Sequence, residues 1–423
     1  MSAGVGTVRV TTLANGLRVA SDTMDSVETV SLGCWVGVGT RNERAEINGV
    51  AHLCEHMMFK GTATRSAFAI SEQIENVGGH LNAYTTREHT AYYAKVLAGD
   101  APLALDIVAD MLQHSVLDEE ELGRERAVVL QEIGQAIDTP DDIVFDYFQG
   151  TAYPDQALGR PVLGSAATVG GLERPALVEY LSRHYGAPGI VVSAAGRIDH
   201  DRLVEMAEAA FQSLPRQAEN RIEQAQYRGG DFREERDLEQ LHLIVGFNGI
   251  SVHDPDYYAH SVLSTLLGGG MSSRLFQEVR EKRGLVYSIY SFAGTYHDGG
   301  LFGVYAGTSP DQAKELVPIL CHEICRVSQD VTEDELARAR AQLKAGTLMA
   351  LESTMSRCEH LGQQLLVYGR PVPTEEVVRK IDAVDLEAVR RVAARLRRNR
   401  PTVAALGPLD DLESYDRIAA RLE

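Results

Sequence analysis

Residues 49–62 read GVAHLCEHMMFKGT, and this stretch decides the fold that we predict for the chain. Its first ten residues are apolar except for His52, Glu55 and His56, and Gly61 stands where a helix C-cap is common. Such a run predicts a largely buried helix that carries three polar side chains. Those side chains need partners, because a buried polar group without one is unfavourable.

The segments around this helix alternate between strand and helix patterns. The Asn15-Gly16 pair is a turn signal within residues 8–20, which predicts two short strands there. Further β-rich runs cover residues 29–38 and 80–96, whereas helical periodicity covers residues 66–77, 101–113 and 118–136. This part of the chain is therefore predicted to be α+β.

A weaker copy of the first stretch occurs later in the chain. Residues 259–270, AHSVLSTLLGGG, can be laid over residues 51–62, and a helical segment, a β-rich segment and another helix follow both. So long a period predicts two duplicated α+β domains, each an antiparallel or mixed sheet with helices packed on one face. In the second copy Leu263 and Ser264 replace Glu55 and His56, so the polar cluster belongs to the first copy alone.

One polar segment separates the two copies. Residues 216–237, RQAENRIEQAQYRGGDFREERD, are charged and contain a Gly-Gly pair, which is typical of a linker. We predict domains at residues 1–215 and 238–423, with the metal-binding residues in the first and a metal-free second domain.

Composition excludes some classes of partner. The chain has 41 basic and 60 acidic residues, a formal charge of -19, so nucleic acid is not expected as a partner. No run approaches the roughly 20 apolar residues that span a bilayer, and the N-terminus lacks the pattern of a signal peptide. We expect a cytoplasmic protein whose five cysteines are reduced.

The three polar residues of the first helix match the chemistry of a catalytic metal. Residues four apart share a helix face, so His52 and His56 can both direct an imidazole at one zinc ion per chain. Glu55 borders that face and could act as general base toward a zinc-activated water. A single histidine on an apolar helix is more often a core residue. Burying all three groups without an ion would cost several kcal/mol, which favours the metal.

A third zinc ligand must come from elsewhere in the chain. Glu125 and Glu132 lie seven residues apart and so share one face of the helix predicted at residues 118–136. Spacing does not choose between them, and a salt bridge to an arginine is the alternative. His80 and His89 are nearer in sequence but fall in a β-rich segment, where a surface or hydrogen-bonding role is commoner.

Two stretches carry a family resemblance. Residues 52–62 and residues 78–89, GGHLNAYTTREH, resemble the inverted-motif zinc peptidase family M16, which includes the mitochondrial processing peptidase β subunit and its bacterial homologues. The resemblance implies that Glu132 is the third zinc ligand. It implies that Glu125 is an accompanying acid that supports catalysis from behind the ligands.

The resemblance extends to substrate contacts. Residues 268–276, GGGMSSRLF, are similar to a glycine-containing segment of the family, and Arg280 with Tyr287 matches a pair that reaches substrate near the zinc. Arginine can bind a peptide carbonyl and tyrosine can stabilise an oxyanion, whereas a helix cap and a strand residue are the structural alternatives. Asn82 and Ala83 resemble the edge strand to which substrate is added, with an ordinary interior strand as the alternative.

The family implies endoproteolysis of peptides or unfolded, presequence-like segments in a chamber enclosed by the two domains. Relatives with both halves usually pair, so a homodimer is expected. Two other functions stay open. The chain could be a processing subunit that is active only with a separate partner, or a non-catalytic core or assembly subunit.

Overall fold

The computed structural model of the chain describes residues 8–423. Its strands are β1 (Val8–Thr12), β2 (Arg18–Thr23), β3 (Thr29–Val36), β4 (His80–Thr85), β5 (Thr90–Leu97), β6 (Ile190–Gly196), β7 (Gly230–Glu235), β8 (Leu241–Asn248), β9 (Val286–Thr295), β10 (Gly300–Thr308) and β11 (Thr402–Gly407). Its α-helices are α1 (Val50–Met58), α2 (Ala67–Glu75), α3 (Ala101–His114), α4 (Glu119–Ile137), α5 (Pro140–Ala152), α6 (Ala166–Gly170), α7 (Arg174–His184), α8 (His200–Ala210), α9 (Tyr257–Gly268), α10 (Ala313–Asp330), α11 (Glu333–Ala350), α12 (Thr354–Tyr368), α13 (Thr374–Asp382), α14 (Leu386–Leu396) and α15 (Tyr415–Leu422).

The strands form two sheets with matching topology. One sheet has the order β1-β2-β6-β3-β5-β4, and the other has the order β7-β11-β8-β10-β9. Without β1 the two orders correspond strand for strand, and the directions agree as well. The β2–β6 and β7–β11 pairs are parallel, and the remaining corresponding pairs are antiparallel. The predicted α+β class and its duplication are therefore confirmed.

The chain divides into two compact units, and neither is continuous in sequence. Unit 1 comprises the described residues up to Gly134 with Pro161–Glu223 and Met349–Val372. Unit 2 comprises Gln135–Arg160, Gln224–Leu348 and Pro373–Glu423. Each unit thus contains one helix from the other half of the sequence, α12 in unit 1 and α5 in unit 2. The domain ranges drawn from sequence alone stay a prediction, and the compact units do not follow them.

Helices cover both faces of the unit 1 sheet, which differs from the predicted single covered face. The main core lies between the sheet and helices that include α1 and α3. On the opposite face α12 packs Cys358 and Leu361 against Trp35, Val191 and Ala195. The second layer is needed because β3 and β6 are buried along almost their whole length, so apolar side chains point both ways.

Unit 2 repeats this arrangement with a different helix. Helix α5 packs Val144 and Phe148 against Ile244, Tyr305 and Ala404, while the main core lies on the other face of the sheet. The central strands β8, β10 and β11 are again buried on both sides. The sheet that α5 and α12 each cover is set by tertiary packing, which sequence periodicity does not predict.

The segment predicted as a linker contains a strand. Strand β7 lies within residues 216–237 and pairs in parallel with β11 at the edge of the unit 2 sheet. Its Phe232 stacks on Tyr147 with ring centroids 4.2 Å apart. An edge strand pairs along one edge only and can carry charged side chains on its exposed side. The charged residues of β7 therefore gave this segment the composition of a linker.

The other local predictions agree with the structure. The Asn15-Gly16 turn separates β1 from β2, and Gly16 has a φ of 94°, which glycine adopts readily. All five cysteines are free. Among residues 8–423, no helix has both the length and the apolar character that crossing a membrane requires.

Candidate metal centre

The start of α1 is fixed by a glycine and a buried acid. Gly49 has a φ of 99°, and a Cβ there would lie 2.8 Å from the carbonyl oxygen of Leu163. Glu43 is buried, and its carboxylate accepts hydrogen bonds from the backbone N–H groups of Gly49 (3.0 Å) and Ala51 (2.7 Å). A carboxylate at this position satisfies free N–H groups and complements the helix dipole. The direction of α1, and so of its polar side chains, is held from its first turn.

Three predicted ligands converge in unit 1. One ligand atom each from His52, His56 and Glu132 lies within 4.8 Å of the others. The Nε2 atoms of His52 and His56 are 3.7 and 3.6 Å from the same carboxylate oxygen of Glu132. His80 and His89 are not in this group, and His89 instead lies 3.1 Å from the Thr86 hydroxyl through Nδ1.

Helix α4 presents both acids through its amphipathic pattern. Leu122, Glu125, Val129 and Ile133 are its buried residues, spaced three and four apart on one face. Glu132 is at the edge of this face, with a side chain 38% exposed. One acid is therefore enclosed and the other is open toward the histidines.

Two of the three ligand-atom separations are close to those around a tetrahedral zinc ion. Ligand atoms about 2.0–2.2 Å from one zinc are separated by roughly 3.4 Å, close to the distances between Glu132 and the two histidines. These distances are too long for direct hydrogen bonds. His52 Nδ1 is buried without a hydrogen-bond partner among the described residues. Burial, reinforced by the charge of His56, lowers the pKa of His52 to about 4, so its imidazole is neutral and able to bind a metal at pH 7.

Glu125 lies behind the predicted ligands and contacts a histidine and a lysine. Its side chain is 8% exposed, and its carboxylate lies 3.0 Å from His56 Nδ1 and 2.7 Å from the Lys60 ammonium. A carboxylate on Nδ1 fixes the ring so that Nε2 faces the Glu132 carboxylate, at the candidate metal position. From the sequence, a salt bridge to an arginine was the alternative role for these acids. In the structure the ion-pair partner of Glu125 is a lysine. Lys60, four residues after His56, was missed; that spacing was its only signal.

Glu55 is held beside the ligands by a strand residue. The Thr85 hydroxyl donates a hydrogen bond of 2.6 Å to Glu55 Oε2. Burial raises the pKa of the Glu55 carboxyl, and the Thr85 hydrogen bond and the charge of His56 oppose that rise. A carboxylate with a raised pKa suits a general base that works near neutrality. Thr85 was also missed from the sequence, although strand alternation places it on the same face as Ala83.

Asn82 and Ala83 lie on β4, an outer strand of the unit 1 sheet. Strand β4 pairs with β5, and no other strand within residues 8–423 pairs with it. The Ala83 N–H donates to the Asn82 side-chain oxygen at 2.8 Å, so it is not engaged by β5. An extended peptide could pair with such an edge. The role of both residues in substrate binding stays a prediction.

Arg280 and Tyr287 lie together in unit 2. The Arg280 guanidinium is 4.8 Å from the Phe276 ring centroid and 5.5 Å from that of Tyr287. Arg280 belongs to a π-helical segment, Phe276–Glu281, and Tyr287 is 79% exposed in β9. Cation–π contacts hold the Arg280 guanidinium beside both rings. Its approach to substrate at the unit 1 site stays a prediction.

The chain matches family models and named proteins over most of its length. Residues 18–166 match the model described as Insulinase (Peptidase family M16), and residues 171–343 match the Peptidase M16 inactive domain. An uncharacterized zinc protease of Streptomyces coelicolor is 42% identical over 424 residues, covering 97% of this chain and 92% of that protein. The probable mitochondrial-processing peptidase subunit beta of Arabidopsis thaliana is 40% identical, covering 98% of this chain and 81% of that protein.

A solved structure agrees with the fold. The peptidase M16 inactive domain from Pseudomonas fluorescens aligns with a TM-score of 0.90 at 21% identity, over 96% of this chain and 99% of that one. At that identity the likeness concerns the fold alone. The sequence matches, at about 40% identity over nearly full length, establish what the resemblance implied: this chain is a member of peptidase family M16.

Proposed function

We propose that the chain is a zinc metalloendopeptidase that hydrolyses peptides or unfolded, presequence-like segments. The observation that carries the proposal is the convergence of ligand atoms from His52, His56 and Glu132 within 4.8 Å, with Glu55 beside them. The names of its relatives as zinc proteases support the same metal and reaction class.

Each residue of the site has a proposed task. His52, His56 and Glu132 would hold zinc, which would supply Lewis-acid chemistry by making water more acidic and polarising a carbonyl. Glu55 accepts the proton of the attacking water and passes it to the departing amine nitrogen. Glu125 keeps the His56 ring oriented through Nδ1.

Substrate contacts are proposed on both units. A peptide that pairs with the open edge of β4 at Asn82 and Ala83 would be bound through its main chain, with little dependence on its sequence. Arg280 is proposed to bind a substrate carbonyl, and Tyr287 to donate to the oxyanion that forms during attack. The expected homodimer and the cytoplasmic location remain predictions.

The direct test is zinc content together with cleavage of an internally quenched peptide. The purified chain should hold about one zinc, and Glu55→Gln should retain it while losing about 10²–10⁴-fold in kcat. Glu359→Gln is the matched control, because Glu359 also accepts a 2.6 Å hydrogen bond from a β4 residue but lies against the opposite face of the sheet. Loss of zinc in Glu55→Gln would show that Glu55 is a ligand instead of a base.

A second candidate is a processing subunit that requires a separate partner. The observation that favours it is the 40% identity to a protein named as a subunit of a processing peptidase. Cleavage by the purified chain alone would exclude it. A purified chain holding less than about half an equivalent of zinc would instead favour a non-catalytic core or assembly role.

A further inference from the structure

Thr85 connects the open edge of the unit 1 sheet to Glu55. Side chains alternate along β4, so Leu81 and Ala83 pack toward the main core that contains α1, and Thr85 follows on the same face. Tyr84 lies on the opposite face and donates to Glu359 of α12. Among the described residues, Thr85 makes the one hydrogen bond to the Glu55 carboxylate.

The backbone of the same residue lies at the free edge of the sheet. At the end of the hairpin Thr86 N–H donates to the carbonyl of His89, which sets the direction of pairing. Hydrogen-bonding direction alternates along an antiparallel strand, so Tyr84 pairs toward β5, whereas Ala83 and Thr85 direct their backbone groups outward. The Ala83 N–H agrees with this assignment, since the Asn82 side chain accepts from it.

We propose that Thr85 is a positioning residue that couples the substrate-binding edge to the general base. The inference rests on the proposed function. The Thr85 backbone would pair with a peptide added to β4, while the Thr85 hydroxyl donates a hydrogen bond to Glu55 Oε2. An incoming peptide that orders this end of β4 therefore also orders the base, and Oε1 is left to take the proton from water.

The expected loss of rate follows from the strength of the hydrogen bond between Thr85 and Glu55. A hydrogen bond to a charged group contributes enough that its loss corresponds to about ten- to a hundred-fold in rate, if the bond is needed at the transition state. The loss should fall on kcat, because Thr85 does not hold the metal and its backbone pairing survives substitution of the side chain.

The experiment compares two neighbouring residues of one strand. Thr85→Val removes the hydroxyl at nearly constant shape, and Thr85→Ser keeps a donor. Tyr84→Phe is the matched control, because it removes a hydrogen bond of the same 2.6 Å length to a glutamate on the other face. For each variant kcat, KM, zinc content and the urea midpoint are measured with the quenched peptide and the zinc-loaded chain.

Thr85→Val is expected to lower kcat about ten- to a hundred-fold, with KM and zinc content unchanged, and Thr85→Ser to recover most of the loss. Tyr84→Phe should leave kcat unchanged. If Thr85→Val fails to fold, Thr85→Ala provides the same test without a methyl group beside the carboxylate. The inference would be overturned by a wild-type kcat in Thr85→Val. It would also be overturned if Thr85→Val lost zinc in proportion to its loss of kcat, or if Thr85→Ser did not recover activity. Full activity of Glu55→Gln would instead overturn the proposed function.

Discussion

Helices α1 and α9 hold equivalent places in two matching sheets, yet α1 carries two histidines and a glutamate where α9 carries a single histidine. Each helix precedes the hairpin at one edge of its sheet. His260 corresponds to His52, whereas Leu263 and Ser264 replace the glutamate and the second histidine. His260 is fully buried, and neither ring nitrogen has a hydrogen-bond partner among the described residues. A histidine kept at the equivalent position is therefore no evidence of a site by itself.

The second pair of helices shows the same difference. When α4 is laid over α11 from their first residues, Leu122 meets the equally buried Leu336, but Glu125 meets Ala339 and Glu132 meets a glycine. Unit 2 thus has small residues where unit 1 has the proposed ligand and its proposed supporting acid. The acids of unit 1 are not required to build this fold, and the burial of Glu125 is a stability cost that a functional site explains.

The largest expected effect, on zinc content and turnover, comes from placing in α1 the serine that α9 has at the position of His56. His56→Ser removes one of the three proposed ligands, so zinc content should fall below about a tenth of an equivalent and kcat/KM by about a thousand-fold or more. His260→Leu is the matched change in unit 2, and zinc content and turnover should stay at wild-type values. Metal analysis of both purified variants measures the difference. If His56→Ser retained zinc, the proposed difference in metal binding between α1 and α9 would be wrong.

The two acids of α4 should differ in their effect on zinc. Glu132→Gln removes a proposed ligand, whereas Glu125→Gln keeps the three proposed ligands and disturbs the partner of His56 Nδ1. We expect Glu125→Gln to weaken zinc affinity by about 10- to 100-fold, and Glu132→Gln to weaken it more. Competition with a chromogenic chelator gives both affinities. The reverse order would assign the ligand to Glu125.

His260 should make unit 2 sensitive to acid. Burial lowers its pKa from 6.5 to about 4, and the charges of Asp254 and Arg395 act on it in opposite directions. The unfolded chain therefore binds a proton that the folded chain does not, so this contribution to stability is intact above pH 6.5 and is lost as pH falls toward 4. From pH 7 to pH 5 the loss should be about 2 kcal/mol.

Hydrogen exchange of the α9 amides at the two pH values measures this loss, and His260→Leu should remove it from the pH dependence. An unchanged pH dependence in that variant would show that other groups dominate the acid response of unit 2.

Features of the fold and site that depend on local sequence pattern could be predicted from the sequence. Features that depend on packing between distant segments could not. The helix with His52 and His56, and the β-rich run at residues 80–96 that forms the β4–β5 hairpin, followed from periodicity. The covering of each sheet by a helix from the other half did not, because no local pattern says which face a helix meets. Lys60 and Thr85 were missed for the same reason: each acts on a residue brought close only by the fold.

The smallest expected effect is a gain in stability. Glu55→Leu gives α1 the residue that α9 has, and it replaces a buried carboxyl whose pKa is raised by burial. Leu263 is 1% exposed at the equivalent position, so the fold accepts leucine there. The metal-free variant should be more stable by about 1 kcal/mol and inactive, because apolar burial outweighs the lost Thr85 hydrogen bond.

Urea unfolding followed by fluorescence isolates this effect, since the single tryptophan, Trp35, lies in the core of unit 1. The reciprocal change, Leu263→Glu, buries a carboxyl with no partner in unit 2 and should destabilise that unit by several kcal/mol, as circular dichroism would show. A destabilised Glu55→Leu would mean that Glu55 supports the fold, and the distinction drawn between α1 and α9 would then be one of packing instead of function.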